Sequence, residues 1–143
     1  MVRLSDTDRE AVREALAEVV NPVRLVFFTQ SLGCETCLPT RQILDQLVEL
    51  SEHVTIEEVN FVLDKEKVAE YGIERVPAIA VVGERDAGIR FYGAPFGYEF
   101  MSLIDAIRLT SSGDSDLSEE SRALLAGVTD ERPLHIQVFV TPT

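Results

Sequence analysis

Hydrophobic and polar positions along the chain fall into runs of two kinds. Near the N-terminus Val12, Leu16, Val19 and Val20 recur at i, i+4, i+7 and i+8, the spacing of one helix face, and Thr7-Asp8-Arg9-Glu10 ahead of them has the form of a capping box. Asn21-Pro22 ends this helix, because proline has no N–H for the ladder and turns its predecessor away from helical angles. Val23 to Phe28 is apolar, short, and rich in Val and Phe, which predicts a buried strand. Leu38, Ile43, Leu44, Leu47 and Val48 return to helical spacing and predict a helix to about Ser51, with Pro39 near its start. Val54 to Phe61 mixes apolar with charged residues, as a half-exposed edge strand does. A short helix over about Asp64 to Tyr71 is closed by Gly72. A second continuous apolar run, Ala78 to Val82, follows, and the turn Gly83 to Gly88 leads it into Ile89 to Tyr92. Phe100, Leu103, Ile104 and Ile107 then mark one stripe of a helix over roughly Tyr98 to Leu109. The order is βαβαββα with an extra helix in front, an α/β sandwich holding two buried and two edge strands between helices.

Beyond Leu109 the pattern changes. Residues 110–117 read as a polar linker, and residues 118–143 as a short helix followed by a strand. Leu117, Leu124, Leu125 and Val128 mark the helix face, closed near Gly127, and the final run opens at Leu134. Val138-Phe139-Val140-Thr141 echoes Val26-Phe27-Phe28-Thr29 at an offset of 112 residues, which reads as a domain repeat. An apolar strand with unpaired N–H and C=O groups is a template for pairing, so this run is expected to add to a sheet edge, its own or that of a second molecule in a homodimer.

A chain of 143 residues, 45% hydrophobic and 27% charged, can build one ordinary core. Its formal net charge of −12 argues against nucleic acid or an anionic membrane surface as partner. The N-terminus has no apolar leader and no run is long enough to span a bilayer, so a cytoplasmic location is expected. In that reducing compartment a cysteine pair is catalytic more often than structural.

The only two cysteines, Cys34 and Cys37, stand three apart between the first predicted strand and the helix after it. Strand, short loop, C-x-x-C, helix is the setting of a redox pair. A sulfur at the first turn of a helix meets unpaired N–H groups and the positive end of the dipole, which favours thiolate over thiol. Cys34 is therefore the expected attacker, and Cys37, one turn further in, the thiol that resolves a mixed disulfide. Two buried structural cysteines are the plainer alternative. A metal site needs about four ligands; only His53 and His135 could join the sulfurs, neither at ligand spacing, and no metal is expected. Glu35, Thr36 and Arg41 are candidate modulators. The charge of Glu35 opposes a thiolate at Cys34, while Arg41, one turn beyond Cys37, supports one if it turns back and is otherwise an outward, solvated side chain.

The βαβαββα order, the C-x-x-C after the first core strand and Val76-Pro77 just before the third resemble the thioredoxin/glutaredoxin superfamily. Cys34-Glu35-Thr36-Cys37-Leu38-Pro39-Thr40-Arg41 and Gly93-Ala94-Pro95-Phe96-Gly97-Tyr98-Glu99-Phe100 are similar to the N-terminal unit of the glutaredoxin-like protein disulfide oxidoreductases of bacteria and archaea. The likeness covers essentially the whole chain. Those proteins join two thioredoxin-fold units, and the N-terminal domain of the flavoprotein component of alkyl hydroperoxide reductase is a relative.

The resemblance implies a thioredoxin fold with a mixed four-stranded sheet over residues 1–109 and dithiol chemistry on protein disulfides and dithiols. It implies no bound cofactor and a thioredoxin reductase-like electron donor. It implies a cis bond at Val76-Pro77, shaping a substrate groove that faces the cysteines. It also implies that the last strand opens a second unit, so that the chain reads as one complete redox unit plus the truncated start of another. One departure bears on mechanism: Phe28 stands where thioredoxins carry a buried Asp that assists proton transfer. The rival readings are a redox-silent interaction module and the N-terminal electron-transfer unit of a peroxide-reductase system. A fainter one is an iron–sulfur cluster bridging monomers with external thiolates.

Overall fold

The computed structural model describes residues 3–141. Its contacts divide the chain into two units, Met1–Gly113 and Asp114–Thr143. The first holds α1 (Asp6–Leu16), β1 (Val23–Thr29), α2 (Cys37–Val48), β2 (Val54–Asn60), α3 (Lys65–Glu70), β3 (Ala78–Val82), β4 (Arg90–Tyr92) and α4 (Tyr98–Ser112). The strands form one mixed sheet in the order β2-β1-β3-β4. β1 runs parallel to β2, reached through α2, and antiparallel to β3, which continues through a tight connection into antiparallel β4. The two continuous apolar runs are the two inner strands, because alternate residues of each point to opposite covered faces. Leu25, Phe27, Ile79 and Val81 meet Val12 and Leu16 of α1, Ile43, Leu44 and Leu47 of α2, and Leu103, Ile104 and Ile107 of α4. Val26, Phe28, Ala78, Ala80 and Val82 form the other face with Val59 and Ile73, and Val68 and Tyr71 pack against it.

Local differences from the sequence reading have identifiable causes. The α1 cap is Ser5, not Thr7: its Oγ accepts from the Asp8 N–H at 3.1 Å and donates to the Asp8 carboxylate at 2.6 Å. Asp8 stands at the position a capping box gives to Glu or Gln, and its carboxylate takes the Ser5 hydroxyl. The helix ends at Leu16, leaving Val19 buried in a turn and Val20 exposed. The reason lies 90 residues away at the buried Ser111, whose Oγ accepts from the Val20 and Asn21 N–H groups at 3.1 and 3.0 Å and donates to the Asn21 carbonyl at 3.1 Å. That demand also carries α4 past Leu109 to Ser112, where Gly113 adopts φ 68° and gives its N–H to the Leu109 carbonyl at 2.9 Å. The connection that follows is therefore 114–118, shorter than the expected 110–117. α2 stops at Val48 rather than Ser51, and Leu38, counted on its apolar stripe, is exposed.

The second unit contains α5 (Glu119–Leu125), capped by Ser118, whose Oγ accepts from the Ser121 N–H at 3.2 Å. Leu124, Leu125 and Val128 are exposed. Pairing within residues 114–141 is limited to one bridge between Thr129 and Arg132. The expected strand over 134–141 is not formed, since an extended segment becomes a strand only through a ladder and these residues have none. The last two residues of that predicted run lie outside the described residues.

Candidate active site

The sheet topology gathers four connections at one end. β1 ends at Thr29 and parallel β2 at Asn60, while Ala78, at the start of β3, lies opposite both Phe28 and Tyr92, the end of β4. Residues 30–36, 61–64, 74–77 and 93–97 therefore share this edge. The first of them is the redox loop. The Gln30 side-chain amide donates to the Leu32 carbonyl at 2.8 Å, and Gly33 adopts φ 71°, a conformation that suits glycine. Cys34 follows, half-buried; Glu35 and Thr36 form an exposed turn. Cys37 opens α2 and is 4% exposed.

Cys34 therefore precedes the helix and its cap at Thr36, whereas the sequence pattern put it in the first turn. A Cys34–Cys37 disulfide, with the Cα atoms 5.4 Å apart, still holds both sulfurs at the helix N-terminus. The first ladder bond of α2 is Thr40 N–H to the Thr36 carbonyl at 3.0 Å, so Pro39 interrupts nothing. The same carbonyl accepts the Thr40 hydroxyl at 2.7 Å. Thr40 and Ser111 are the buried polar side chains among the described residues; no carboxylate joins them. The position before the loop is filled by Phe28, fully buried and edge-on to Tyr71 with ring centroids 5.6 Å apart.

The Val76–Pro77 bond is cis. Val76 is half-buried and Pro77 buried, and the Pro77 carbonyl accepts the Gly93 N–H at 2.9 Å, which ties the third connection to the fourth. Glu35 is exposed. Arg41 does not turn back to the sulfurs: its Nε donates to Asp45 at 2.7 Å and a terminal nitrogen to Glu58. The Asp45 hydrogen bond, with the charges of Asp45 and Glu58, raises its pKa above the ordinary arginine value against the opposing effect of burial. No cluster of three His, Cys, Asp or Glu residues among the described residues is placed to hold a metal ion. No helix among them is long and apolar enough to cross a membrane.

Other features of this end escaped the sequence reading. Leu32, Leu38, Val62, Leu63 and Phe96 are exposed on or beside the four connections. The Arg75 guanidinium lies over the Tyr92 ring, 4.3 Å from its centroid. For Leu32, Val62, Leu63 and Phe96 the available signal was an apolar residue standing in a connection between periodic runs, whereas Leu38 was counted on the α2 stripe. The stack joins residues 17 apart and had none.

This sheet, with a C-x-x-C disulfide at the N-terminus of its first crossover helix, has the architecture of a thioredoxin fold. A probable thioredoxin of Methanothermobacter thermautotrophicus is 33% identical over 84 residues, 58% of this chain and 93% of that protein. The chain belongs to the thioredoxin family. The F component of an alkyl hydroperoxide reductase of Staphylococcus epidermidis is 32% identical over 122 residues, 82% of this chain and 21% of that protein. The crystal structure of a protein disulfide oxidoreductase from Aeropyrum pernix K1 superposes with a TM-score of 0.78 at 30% identity, covering 89% of this chain and 56% of that one. The chain thus spans about a fifth of the Staphylococcus protein and little more than half of the Aeropyrum structure. No family model matches the sequence.

Proposed function

We propose that this chain exchanges its dithiol with disulfides of partner proteins, Cys34 attacking and Cys37 resolving. The observation that carries the assignment is the difference in access between the two bonded sulfurs' residues: Cys34 half-buried at the rim, Cys37 buried beneath it. In the reducing direction the Cys34 thiolate attacks one partner sulfur and expels the other as a thiolate, forming a mixed disulfide. The Cys37 thiolate then attacks Cys34 Sγ and expels the second partner thiolate, leaving the Cys34–Cys37 disulfide. The partner gains two electrons and the pair loses them, so each turnover needs a dithiol or flavoprotein disulfide reductase as donor. With no buried carboxylate among the described residues, water at the rim carries the proton from Cys37. Val76 and Pro77 line the groove into which the partner segment lies. A cytoplasmic location suits a pair that must be re-reduced.

The test is reduction of a protein disulfide by dithiothreitol with and without the chain. Acceleration that disappears in Cys34→Ser is expected; no acceleration by the wild type rejects the reading.

A second reading is favoured by the likeness to the Staphylococcus reductase component over 82% of this chain: the same pair relays electrons to a peroxide-reducing partner. Faster reduction of a peroxidatic disulfide than of unrelated protein disulfides would select it. We also propose that residues 114–141 repeat the α1–β1 start of the fold. Ser118 caps α5 as Ser5 caps α1, and residues 138–141 repeat residues 26–29. Residues 134–141 then act as a strand once a sheet edge is offered, in a homodimer if the edge is a second molecule's.

A further inference from the structure

The sequence carries 25 acidic residues against 13 basic ones, and most arginines of the structure are held by carboxylates. Arg9, Arg13, Arg24, Arg41, Arg90, Arg108 and Arg122 all make ion pairs. Arg75 makes none among the described residues, although it adjoins Val76–Pro77 at the redox edge. Its stack has an internal control. Arg90 also lies over a tyrosine, Tyr71, but its donors are used: Nε gives to the Tyr71 carbonyl at 3.0 Å and a terminal nitrogen to Asp86 at 2.9 Å. Arg90 is a structural clamp. Arg75 has the same kind of ring beneath it, is exposed, and spends no donor on a carboxylate.

Tyr92 is itself fixed. It pairs with Ala78 in the sheet, and its hydroxyl donates to the Gly72 carbonyl at 3.4 Å. The guanidinium thus lies over a ring held by the sheet, beside Val76–Pro77, and among the described residues its N–H fork has no carboxylate partner and can receive two oxygens. A planar fork immobilised before binding loses less entropy on pairing than a free side chain does. The acids of the flanking connections, Glu35 and Glu74, are exposed and form no ion pair with it among the described residues. In a chain of net charge −12, an acidic partner is repelled at long range, so a local fork is what lets one dock.

We infer that Arg75, seated on Tyr92, is a specificity-determining residue that receives an Asp or Glu carboxylate beside the reacting cysteine of the partner protein. The inference rests on the dithiol-exchange reading above and names the partner chemistry that reading leaves open.

The experiment uses the full chain, recycled by dithiothreitol, and three disulfide peptides identical except for Glu, Gln or Lys beside the cysteine. Wild type is expected to show a kcat/KM about 3- to 10-fold higher for the Glu than for the Lys peptide, carried by KM. Raised salt should shrink this preference, because the pair lies at the surface. Arg75→Gln should bring the ratio close to one. Arg75→Lys should keep the sign of the preference and lose part of its size, since an ammonium has no planar fork. Equal rates on the Glu and Lys peptides in wild type, or an unchanged ratio in Arg75→Gln, overturn the inference alone. No reduction of any of the three peptides by wild type overturns the dithiol reading and this inference with it.

Discussion

Two stretches of this chain begin and end alike and have opposite surroundings. Residues 5–29 open with a serine-capped helix and end in Val-Phe-Phe-Thr; residues 118–141 open with a serine-capped helix and end in Val-Phe-Val-Thr. Phe27 is 1% exposed between α1, α2 and α4, whereas its counterpart Phe139 is 90% exposed. In the first stretch β1 has β2 on one side and β3 on the other. In the second, residues 134–141 have no ladder. Capping is local and survives in both. Strand formation and burial come from neighbours and are present in only one.

The largest break in the symmetry is at the paired phenylalanines. Phe27→Ala should destabilise the first unit by about 3–5 kcal/mol through lost burial and the cavity left behind. Phe139→Ala should change the stability of the isolated chain by less than about 0.5 kcal/mol. Denaturant midpoints of the two variants check both numbers. If residues 134–141 pair with a sheet edge in solution, the second value rises toward the first, which makes the comparison an assay for such pairing.

Next in size is Ser111→Ala. It leaves the Val20 and Asn21 N–H groups without their acceptor in a part-buried turn, a loss of about 1–3 kcal/mol in thermal or denaturant unfolding. Ser118→Ala removes only a cap from an exposed seven-residue helix and should leave the main unfolding transition where it is, lowering helicity alone.

Ser111 also marks where the sequence stopped being legible. The inner strands, the edge strands and the crossover helix could be read because each is written in a contiguous pattern, continuous apolar runs for β1 and β3 and a 3.6-residue stripe for α2 and α4. The C-x-x-C was legible because spacing and setting coincide. The ends of α1 and α4 were not, since both are set by one hydroxyl reaching a backbone 90 residues away. Leu38 fitted the helical stripe and is nonetheless exposed, because it lies one residue inside the helix at the redox edge, ahead of the turns that face the core. The Arg75–Tyr92 stack was invisible for a related reason: β3 and β4 bring the two together, and no local pattern encodes their register.

The smallest effect is on acid stability. The hydrogen bond from Arg90 holds Asp86 below its ordinary value of 3.8, and the hydrogen bond from Arg122 does the same for Asp114. A carboxylate with a depressed folded pKa contributes stability above its unfolded pKa and loses it as pH falls through the folded value, so both effects lie below about pH 4. Asp86, paired with Arg90 at the surface of the first unit, should contribute a small part of the acid unfolding curve that shrinks with added salt and that Asp86→Asn removes. Asp114, fully exposed, should contribute nothing detectable, and Asp114→Asn should superpose on wild type.

The central claim is that the rim cysteine attacks and the buried one resolves, and covalent trapping measures it most directly. Reduced Cys37→Ser, mixed with a disulfide-bonded protein, is expected to accumulate a reductant-sensitive adduct through Cys34, because nothing remains to release it. Cys34→Ser under the same conditions should accumulate little. Equal adducts in the two variants, more in Cys34→Ser, or none in either would contradict the account.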